Sequence, residues 1–182
     1  MEIKAYFETS GNAGCGGTRR VGGWVKFPIS AENLIEKFKE FSKNMPDYSL
    51  YLFHITEWKA PEFVTDKMEL VNRGFNLETI NKTAEYLEDI DEEDVPIVKA
   101  LLEKDYDLED ACRIVANEDY ADLRDKDDED IIRDHLDDRY DVPDFILDHV
   151  DWSDVADDFF DEEEDYVYVS EGDKTGYIRV TY

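Results

Sequence analysis

The sequence predicts an α+β fold, in which antiparallel strands and short amphipathic helices occupy separate stretches of the chain. Apolar residues alternate near the N-terminus, recur at helical spacing through the middle, and alternate again at the C-terminal end. We expect three small units. They are a neutral α/β module at 1–60 with an antiparallel sheet and a helix, an acidic helical module at 61–120, and highly acidic helices with a terminal β-hairpin at 121–182.

The first 60 residues predict three strands and one helix. The alternation of Ile3, Ala5 and Phe7 on one side predicts the first strand, and Ser30 is a suitable N-cap for the helix. The predicted elements are strands at 2–9, 21–27 and 48–58 and a helix at 31–43. The buried face of that helix should carry Leu34, Ile35, Phe38 and Phe41.

The rest of the chain predicts short helices followed by a hairpin. Asn76, Pro96 and Asp107 stand where helix starts are expected. The predicted helices of the middle third lie at 77–88, 96–104 and 108–118. Further apolar stripes are Ile131, Ile132, Leu136 and Tyr140, then Phe145, Ile146 and Val150, and then Trp152, Val155, Phe159 and Phe160. Strands at 166–169 and 177–180, joined by a turn at 172–174, close the chain.

Charge is the main anomaly of the composition. The chain holds 48 acidic residues against 20 Lys and Arg, a net charge of −28, distributed as +1 in 1–60, −12 in 61–120 and −17 in 121–182. Adaptation to high salt would acidify every exposed surface, so the neutral first third argues against it. A hydrophobic content of 42% with 13% aromatics excludes a disordered acidic tail. The acidic part should repel nucleic acid and anionic lipid and attract a basic partner. The alternative to a binding surface is an acidic face that only contacts solvent.

The carboxylates after residue 121 have a regular spacing. Between 121 and 165, 21 of 45 residues are acidic, and many recur at steps of three or four. Were this segment one helix, it would carry about one negative charge per 3.2 Å, close to the about 3.4 Å per phosphate along a DNA strand. The predicted partner-binding residues are Asp127, Asp128, Glu129, Asp130, Asp134, Asp137, Asp138, Asp141, Asp144, Asp148, Asp151, Asp154, Asp157, Asp158, Asp161, Glu162, Glu163 and Glu164.

Two stretches resemble ligand-binding loops but lack a required residue. The glycine-rich loop at 11–20 has Gly17 where a phosphate-binding loop needs lysine, and a strand pattern follows it instead of a helix. Arg19 and Arg20 in this loop remain candidates for contact with a phosphate or an acidic surface. The acidic run at 125–130 does not match the calcium-binding loop of an EF-hand, because Asp130 stands where that loop needs glycine and Leu136 where it needs the closing glutamate.

The histidines and cysteines do not predict catalysis. His54, His135 and His149 lack metal-ligand spacing, and we expect them at the surface or half buried. Cys15 and Cys112 are too far apart for a redox pair, which fits a reducing cytoplasm. The first residues lack a signal-peptide pattern, so we expect a cytoplasmic protein. We predict a binding protein with no enzymatic activity, no cofactor and no metal.

The order of several weak motifs, together with the acidity, resembles the ArdA-type antirestriction family. An early strand leads into Gly23-Trp24-Val25-Lys26-Phe27-Pro28, which is similar to the family's G-x-W-x-x-x-P stretch. An acidic helical middle follows, and the final residues 176–182 resemble the family's short closing strand. The chain is also similar to type II-A anti-CRISPR proteins of clostridia. The glycine-rich loop with Arg19 and Arg20 departs from the antirestriction pattern.

The resemblance implies an elongated, curved DNA mimic carried by a phage or mobile element, acting in a bacterial cell and often dimeric. It would bind the basic DNA channel of a defence nuclease, either the Cas9–guide RNA complex or a type I restriction-modification enzyme. Carboxylates would replace phosphates against arginine and lysine and so block DNA binding. The residues leave open which nuclease is bound and whether the protein is a monomer or a homodimer. Two other classes stay open: an acidic chaperone or scaffold for a basic nucleic-acid-binding protein, and a calcium-responsive binding module.

Overall fold

The computed structural model describes residues 1–12, 18–43, 53–71, 76–140 and 142–181. The chain divides into two compact units, Met1–Ile90 and Asp91–Tyr182. Each unit contains a three-stranded antiparallel sheet together with helices, which confirms the α+β prediction. The predicted acidic module at 61–120 contributes its first half to one unit and its second half to the other.

The N-terminal unit is a sheet with helices packed on one of its faces. Its elements are β1 (Ile3–Asn12), β2 (Thr18–Phe27), α1 (Ala31–Phe41), β3 (His54–Lys59), α2 (Glu62–Val71) and α3 (Leu77–Asp89). The strand order is β2-β1-β3, and both pairings are antiparallel. The first two predicted strands and the helices α1 and α3 are confirmed, and β3 confirms the strand predicted at 48–58 from His54 onward, since 48–52 lie outside the described residues. The sequence does not predict α2, because the β-branched residues Val64 and Thr65 near its start lower its helix propensity.

The core of this unit forms between α1 and one face of the sheet. Ile3, Ala5 and Phe7 are buried on that face as predicted. Ser30 Oγ accepts a hydrogen bond of 3.2 Å from the backbone N–H of Asn33, which confirms the predicted cap.

The apolar stripe of α1 is narrower than the sequence predicts. Leu34 is buried and Phe38 stacks on Phe53 with ring centroids 4.4 Å apart. The prediction that Ile35 is buried is wrong, since 42% of this residue is exposed. Leu34, Phe38 and Phe41 follow one another at steps of four and three, whereas Ile35 is rotated by about 100° from Leu34 at 3.6 residues per turn.

Gly23 lets α1 approach the sheet closely. A Cβ atom at Gly23 would lie 2.3 Å from a ring carbon of Phe41. Real Cβ atoms do not come this close to another heavy atom, so any side chain here would displace the ring.

The C-terminal unit combines helices with a smaller sheet. Its helices are α4 (Val95–Glu103), α5 (Leu108–Ala116), α6 (Asp128–Arg139), α7 (Asp144–Leu147) and α8 (Trp152–Glu162), with a 3-10 turn at Glu92–Asp94. Its strands are β4 (Tyr120–Asp122), β5 (Tyr166–Val169) and β6 (Gly176–Val180), in the order β4-β6-β5. The predicted hairpin is therefore confirmed. The sequence does not predict β4, which is only three residues long.

An apolar cluster holds α6 and α8 together with the hairpin. Ile131 and Ile132 from α6, Ala156 and Phe160 from α8, and Tyr166 from β5 are its buried members. The ring of Phe160 stacks on that of Tyr177 at a centroid distance of 3.7 Å. Leu123, Leu136, Trp152, Phe159 and Tyr177 pack around the cluster.

Three residues of the predicted apolar stripes are exposed instead. Tyr140 follows the last residue of α6 with an extended backbone, at φ −138° and ψ 136°, so it leaves the helical stripe. Ile146 belongs to the four-residue α7 and is 46% exposed, while Leu147 is the residue buried there. Val155 of α8 is also exposed. The side chain of Phe145 lies outside the described part of the chain. Within the described ranges, no helix is both long and apolar enough to cross a membrane.

Burial predicts unequal effects of shortening Ile132 and Ile146. The residue Ile132 is 1% exposed. Ile132→Ala should lower the free energy of unfolding by about 2–5 kcal/mol, because it leaves a cavity in the cluster. Ile146→Ala makes the same chemical change at an exposed position and should cost about 0.5 kcal/mol or less. Urea denaturation followed by tryptophan fluorescence measures both, and equal losses would contradict this account of the core.

Candidate partner-binding surface

The two units differ sharply in charge. Residues 1–90 hold 14 acidic and 11 basic residues, a net charge of −3, whereas residues 91–182 hold 34 acidic and 9 basic residues, a net charge of −25. The anionic character therefore belongs to the C-terminal unit, which includes half of the predicted middle module.

Helices α6 and α8 present similar carboxylate stripes. Each helix turns most of its apolar side chains into the cluster and leaves its described acidic side chains exposed. The exposed stripe of α6 consists of Asp130, Asp134, Asp137 and Asp138, and that of α8 consists of Asp154, Asp158, Asp161 and Glu162. Both follow the spacing i, i+4, i+7, i+8, which keeps the four side chains on one side of a helix.

Most of the predicted partner-binding residues are exposed. These are Asp127, Asp128, Glu129, Asp130, Asp134, Asp137, Asp138, Asp148, Asp151, Asp154, Asp158, Asp161, Glu162 and Glu164. Glu163 is half-buried. Asp141 and the side chains of Asp144 and Asp157 lie outside the described part of the chain. The segment is divided into α6, α7 and α8, so its carboxylates follow separate helices and not one continuous helix.

Part of the charge around α6 is neutralised within the unit. Lys126 Nζ lies 2.5 Å from a carboxylate oxygen of Asp134, and Arg133 Nε lies 2.9 Å from Glu129. Arg139 lies 3.4 Å from Glu163, a residue that follows α8. Among the described side chains, seven of the nine Lys and Arg residues of the unit form such pairs with ten carboxylates.

The stripe of α8 is the least compensated. Among the described side chains, no Lys, Arg or His nitrogen lies within 4.0 Å of Asp154, Asp158, Asp161 or Glu162. With Asp157, this 11-residue helix holds five acidic residues. At about 1.5 Å per residue, that is about one charge per 3.3 Å of helix axis, near the about 3.4 Å per phosphate of one DNA strand. Asp161 and Glu162 also stand in the last turn, where the helix dipole disfavours negative charge.

The acidic surface extends beyond the predicted residues. Five carboxylates line a surface cavity together with Lys104 and Tyr106; they are Asp105, Asp107, Asp110, Glu164 and Asp165. The net charge of −12 between 61 and 120 indicated that this part of the chain also contributes acidic surface. Sequence spacing could not assign them to this surface, because only the fold brings 105–110 beside 164–165.

A second cavity of the unit mixes both signs of charge. Glu92, Glu93, Asp94, Asp122 and Asp173 line it together with Arg124 and Lys174. Burial raises the pKa of Asp94, and the nearby carboxylates Glu93 and Asp91 raise it further. The hydrogen bond from Arg124 lowers the pKa of Asp122. In the chain segments that the structure describes, no group of three or more His, Cys, Asp or Glu side chains is arranged to hold a metal ion.

His135 is a buried residue, so the expectation of an exposed or half-buried histidine is wrong here. It is 3% exposed because it lies on the apolar side of α6. Its Nδ1 lies 3.1 Å from the hydroxyl of Tyr166, and its Nε2 lies 3.6 Å from Glu163. Burial lowers the pKa of His135, and Arg139 contributes to this shift, while Glu163 opposes it.

Of the remaining histidines and cysteines, the structure describes His54, His149 and Cys112. His54 and His149 are exposed, as predicted. Cys112 is buried, and burial raises the pKa of its thiol to about 12, so the reactive thiolate is scarce near neutral pH. Cys15 lies outside the described residues.

The charge density of the C-terminal unit predicts an unusual salt dependence of stability. Raising monovalent salt from 0.01 M to 0.15 M shortens the Debye length from about 30 Å to about 8 Å and screens the repulsion between carboxylates. The thermal midpoint should rise over this range. A variant that carries Asp154→Asn, Asp158→Asn, Asp161→Asn and Glu162→Gln should show a smaller rise. A flat or falling midpoint in the parent protein would mean that internal pairing already neutralises the unit.

The burial of His135 should make the folded protein less stable on mild acidification. Its pKa is lower in the folded state, so its contribution is fully present above the ordinary histidine pKa of about 6.5 and is lost as the pH falls below that value. The loss is at most about 1.4 kcal/mol per pH unit for one proton. Urea denaturation between pH 7.5 and 5.5 should show a steeper decline for the parent protein than for His135→Gln. Parallel curves would contradict the assignment.

Comparisons with known proteins leave the function to be inferred from the molecule itself. No protein-family model, no curated protein and no solved structure matches this chain. The resemblance to ArdA-type antirestriction proteins and to anti-CRISPR proteins therefore stays a prediction from the sequence.

Proposed function

We propose that this protein inhibits a bacterial defence nuclease by occupying its DNA-binding channel with the carboxylates of the C-terminal unit. The observation that carries the proposal is the exposed stripe of four carboxylates on α8, which has no described basic neighbour; with Asp157, the helix sequence reaches a phosphate-like axial charge density. The target class is a DNA-processing nuclease, either the Cas9–guide RNA complex or a type I restriction-modification enzyme.

The placement of these charges supports a role in binding. Carboxylates in the last turn of α8 oppose the helix dipole, and the chain places no basic residue there to offset them. Folding gains nothing from this arrangement. A partner that brings arginine and lysine to the same positions would offset the repulsion, so the unfavourable charges are compatible with a binding surface.

The mechanism is competition for cations that otherwise bind phosphates. Arginine and lysine in a DNA channel would meet carboxylates held on α8 by the burial of Ala156 and Phe160. Binding would release counterions from the two surfaces, as phosphate contacts do, and would therefore weaken with added salt. The mechanism requires no catalytic residue, cofactor or metal from this chain.

A second candidate is an acidic chaperone or scaffold for a basic nucleic-acid-binding protein. The exposed apolar residues Tyr140, Ile146 and Val155 of the C-terminal unit favour it, because a chaperone uses apolar contacts beside its charges. The two functions differ in one measurable respect. An inhibitor competes with DNA for a folded nuclease, whereas a chaperone also binds basic clients that have no DNA channel.

Neutralising the α8 stripe should weaken nuclease binding. The quadruple variant Asp154→Asn, Asp158→Asn, Asp161→Asn, Glu162→Gln should lose about 1–4 kcal/mol of binding free energy, since an exposed charge pair contributes about 0–1 kcal/mol. This loss corresponds to about a 5-fold to several-hundredfold rise in Kd. A single change, such as Asp158→Asn, should have little effect. Titration of Cas9–guide RNA and of a type I enzyme, each at several salt concentrations and with competing duplex DNA, measures these effects.

The matched control removes four exposed carboxylates from the N-terminal unit. The variant Glu36→Gln, Glu57→Gln, Glu85→Gln, Asp89→Asn makes the same change in net charge and should bind nearly as the parent does. DNA should compete with the parent protein, and the α8 variant should show a shallower dependence of binding on salt. Equal losses of nuclease affinity in the two quadruple variants would mean that binding depends on net charge alone and not on the α8 surface. Unchanged binding by the α8 variant would overturn the proposed surface.

A further inference from the structure

One face of the N-terminal sheet carries the core, and its opposite face carries an unusual row of lysines. The register pairs Lys4 of β1 with Lys26 of β2 on one side and with Lys59 of β3 on the other. Neighbouring strands lie about 4.8 Å apart, so three ammonium groups share a strip about 10 Å wide. Like charges directly opposite one another destabilise a sheet. The row is conspicuous in a chain with 48 acidic and 20 basic residues.

Carboxylates compensate this row only in part. Glu2 lies 2.7 Å from Lys4 Nζ and 3.7 Å from Lys26 Nζ, and Glu88 lies 4.0 Å from Lys26 Nζ. No carboxylate of the described residues lies within 4.0 Å of Lys59. Two carboxylates thus face three cations, and the side chain of Lys26 remains 54% exposed. An external anion would relieve the remaining repulsion.

An aromatic row runs beside the lysines. Trp24 of β2 pairs in register with Tyr6 of β1, and their rings meet edge to face with centroids 5.4 Å apart. Trp24 is 41% exposed. The next position of β2 on this face is Gly22, where a Cβ atom would lie 2.2 Å from the backbone oxygen of Phe7 and 3.1 Å from a ring carbon of Tyr6. Only glycine therefore fits between β1 and the tyrosine ring at this position.

The remaining charged residues of this face lie in or beyond the aromatic row. Glu57 stands in the aromatic row opposite Tyr6, and Glu8 lies one row further along β1. Arg20 of β2 lies 3.6 Å from Glu8, and its side chain is 75% exposed. Glu8 is therefore paired with Arg20, whereas Glu57 lies in the aromatic row, two residues from Lys59 on β3.

We propose that this face, defined by Lys4, Lys26, Lys59, Tyr6 and Trp24, binds single-stranded nucleic acid. Phosphates would occupy the lysine row, and a base would stack on the exposed indole of Trp24. Sequence-tolerant binding of single strands commonly combines a cationic track with aromatic rings in this way, and a sheet surface is one of the scaffolds that supports it. An acidic peptide could use the lysines, but it would leave the aromatic row without a planar partner. Duplex DNA offers no unstacked base to the indole.

The strong negative charge of the C-terminal unit sets the conditions for this binding. Its net charge of −25 repels nucleic acid over a distance that falls to about 8 Å at 0.15 M salt. The site should therefore be measured near that ionic strength with the full chain. It does not depend on the proposed inhibition of a nuclease, because the two surfaces belong to different units.

The test is fluorescence anisotropy with labelled oligonucleotides of about 10 nucleotides, within the usual range of single-strand site sizes. Oligo-dT and oligo-rU should bind, and a duplex of equal length should bind much more weakly. Trp24→Ala should weaken single-strand binding by about 5- to 150-fold, the expected effect of one lost stacking contact, while Trp24→Phe should retain most of it. Circular dichroism checks that each variant stays folded.

The lysine row has its own matched pair of variants. Lys26→Gln with Lys59→Gln should make the slope of log K against log salt shallower by about 1.4, as expected for two lost phosphate contacts to a single strand. Lys37→Gln with Lys39→Gln removes the same charge from exposed positions on α1 and should leave the slope unchanged.

Three results would overturn the proposal. They are no binding of either oligonucleotide at 0.15 M salt, equal effects of the two lysine pairs, or competition by poly-glutamate as strong as that by oligo-dT. The α8 quadruple variant distinguishes the two proposals, because it should weaken nuclease binding but leave oligonucleotide binding equal or stronger.

Discussion

The burial of a small apolar cluster is the interaction on which the C-terminal unit depends. Ile131 and Ile132 of α6 meet Phe160 of α8 and Tyr166 of β5, and this contact holds the two carboxylate-bearing helices beside the hairpin. The unit concentrates a net charge of −25 in 92 residues, so mutual repulsion of the carboxylates opposes its folding. Apolar burial and a limited set of ion pairs must offset that repulsion. Every exposed carboxylate of α6 and α8 owes its fixed position to this cluster.

The described ion pairs of the unit are distributed unevenly between its helices. Arg133 and Arg139 of α6 contact carboxylates at 129, 148, 163 and 165, so they join α6 to segments before and after α8. Arg133 also lies over the ring of Trp152, with 5.0 Å from the guanidinium carbon to the ring centroid. The few available cations therefore stabilise the packing of helices instead of neutralising the outer face of α8. That face therefore keeps its full charge.

The chain thus separates two kinds of surface by unit. In the C-terminal unit, carboxylates at helical spacing suit a partner rich in arginine and lysine. In the N-terminal unit, the strand register places lysines in one row and aromatic rings in the next, which suits an anion with planar groups. Added salt should weaken binding at both surfaces. In the C-terminal unit the protein supplies the carboxylates that replace phosphates, whereas in the N-terminal unit it supplies the cations that contact phosphates.

The sequence by itself determined the elements that depend on local patterns. Ser30 and Asn76 marked helix starts because their side chains accept hydrogen bonds from backbone N–H groups two or three residues later. Alternation identified β1, β2 and the hairpin because the side chains of a strand alternate between its two faces. Charge counting identified the anionic part of the chain, since formal charge does not depend on the fold.

Only the tertiary structure decided which of these residues are neighbours or buried. Tyr140 belongs to an apolar stripe in the sequence but is exposed, because α6 ends at Arg139 and the backbone becomes extended. His135 is buried because it lies on the side of α6 that meets Tyr166, a residue 31 positions away. The row of Lys26, Lys4 and Lys59 exists only through strand register, which joins residues distant in the chain. Pattern and charge are local properties, whereas pairing and burial depend on contacts between distant segments, and spacing along one chain does not encode those contacts.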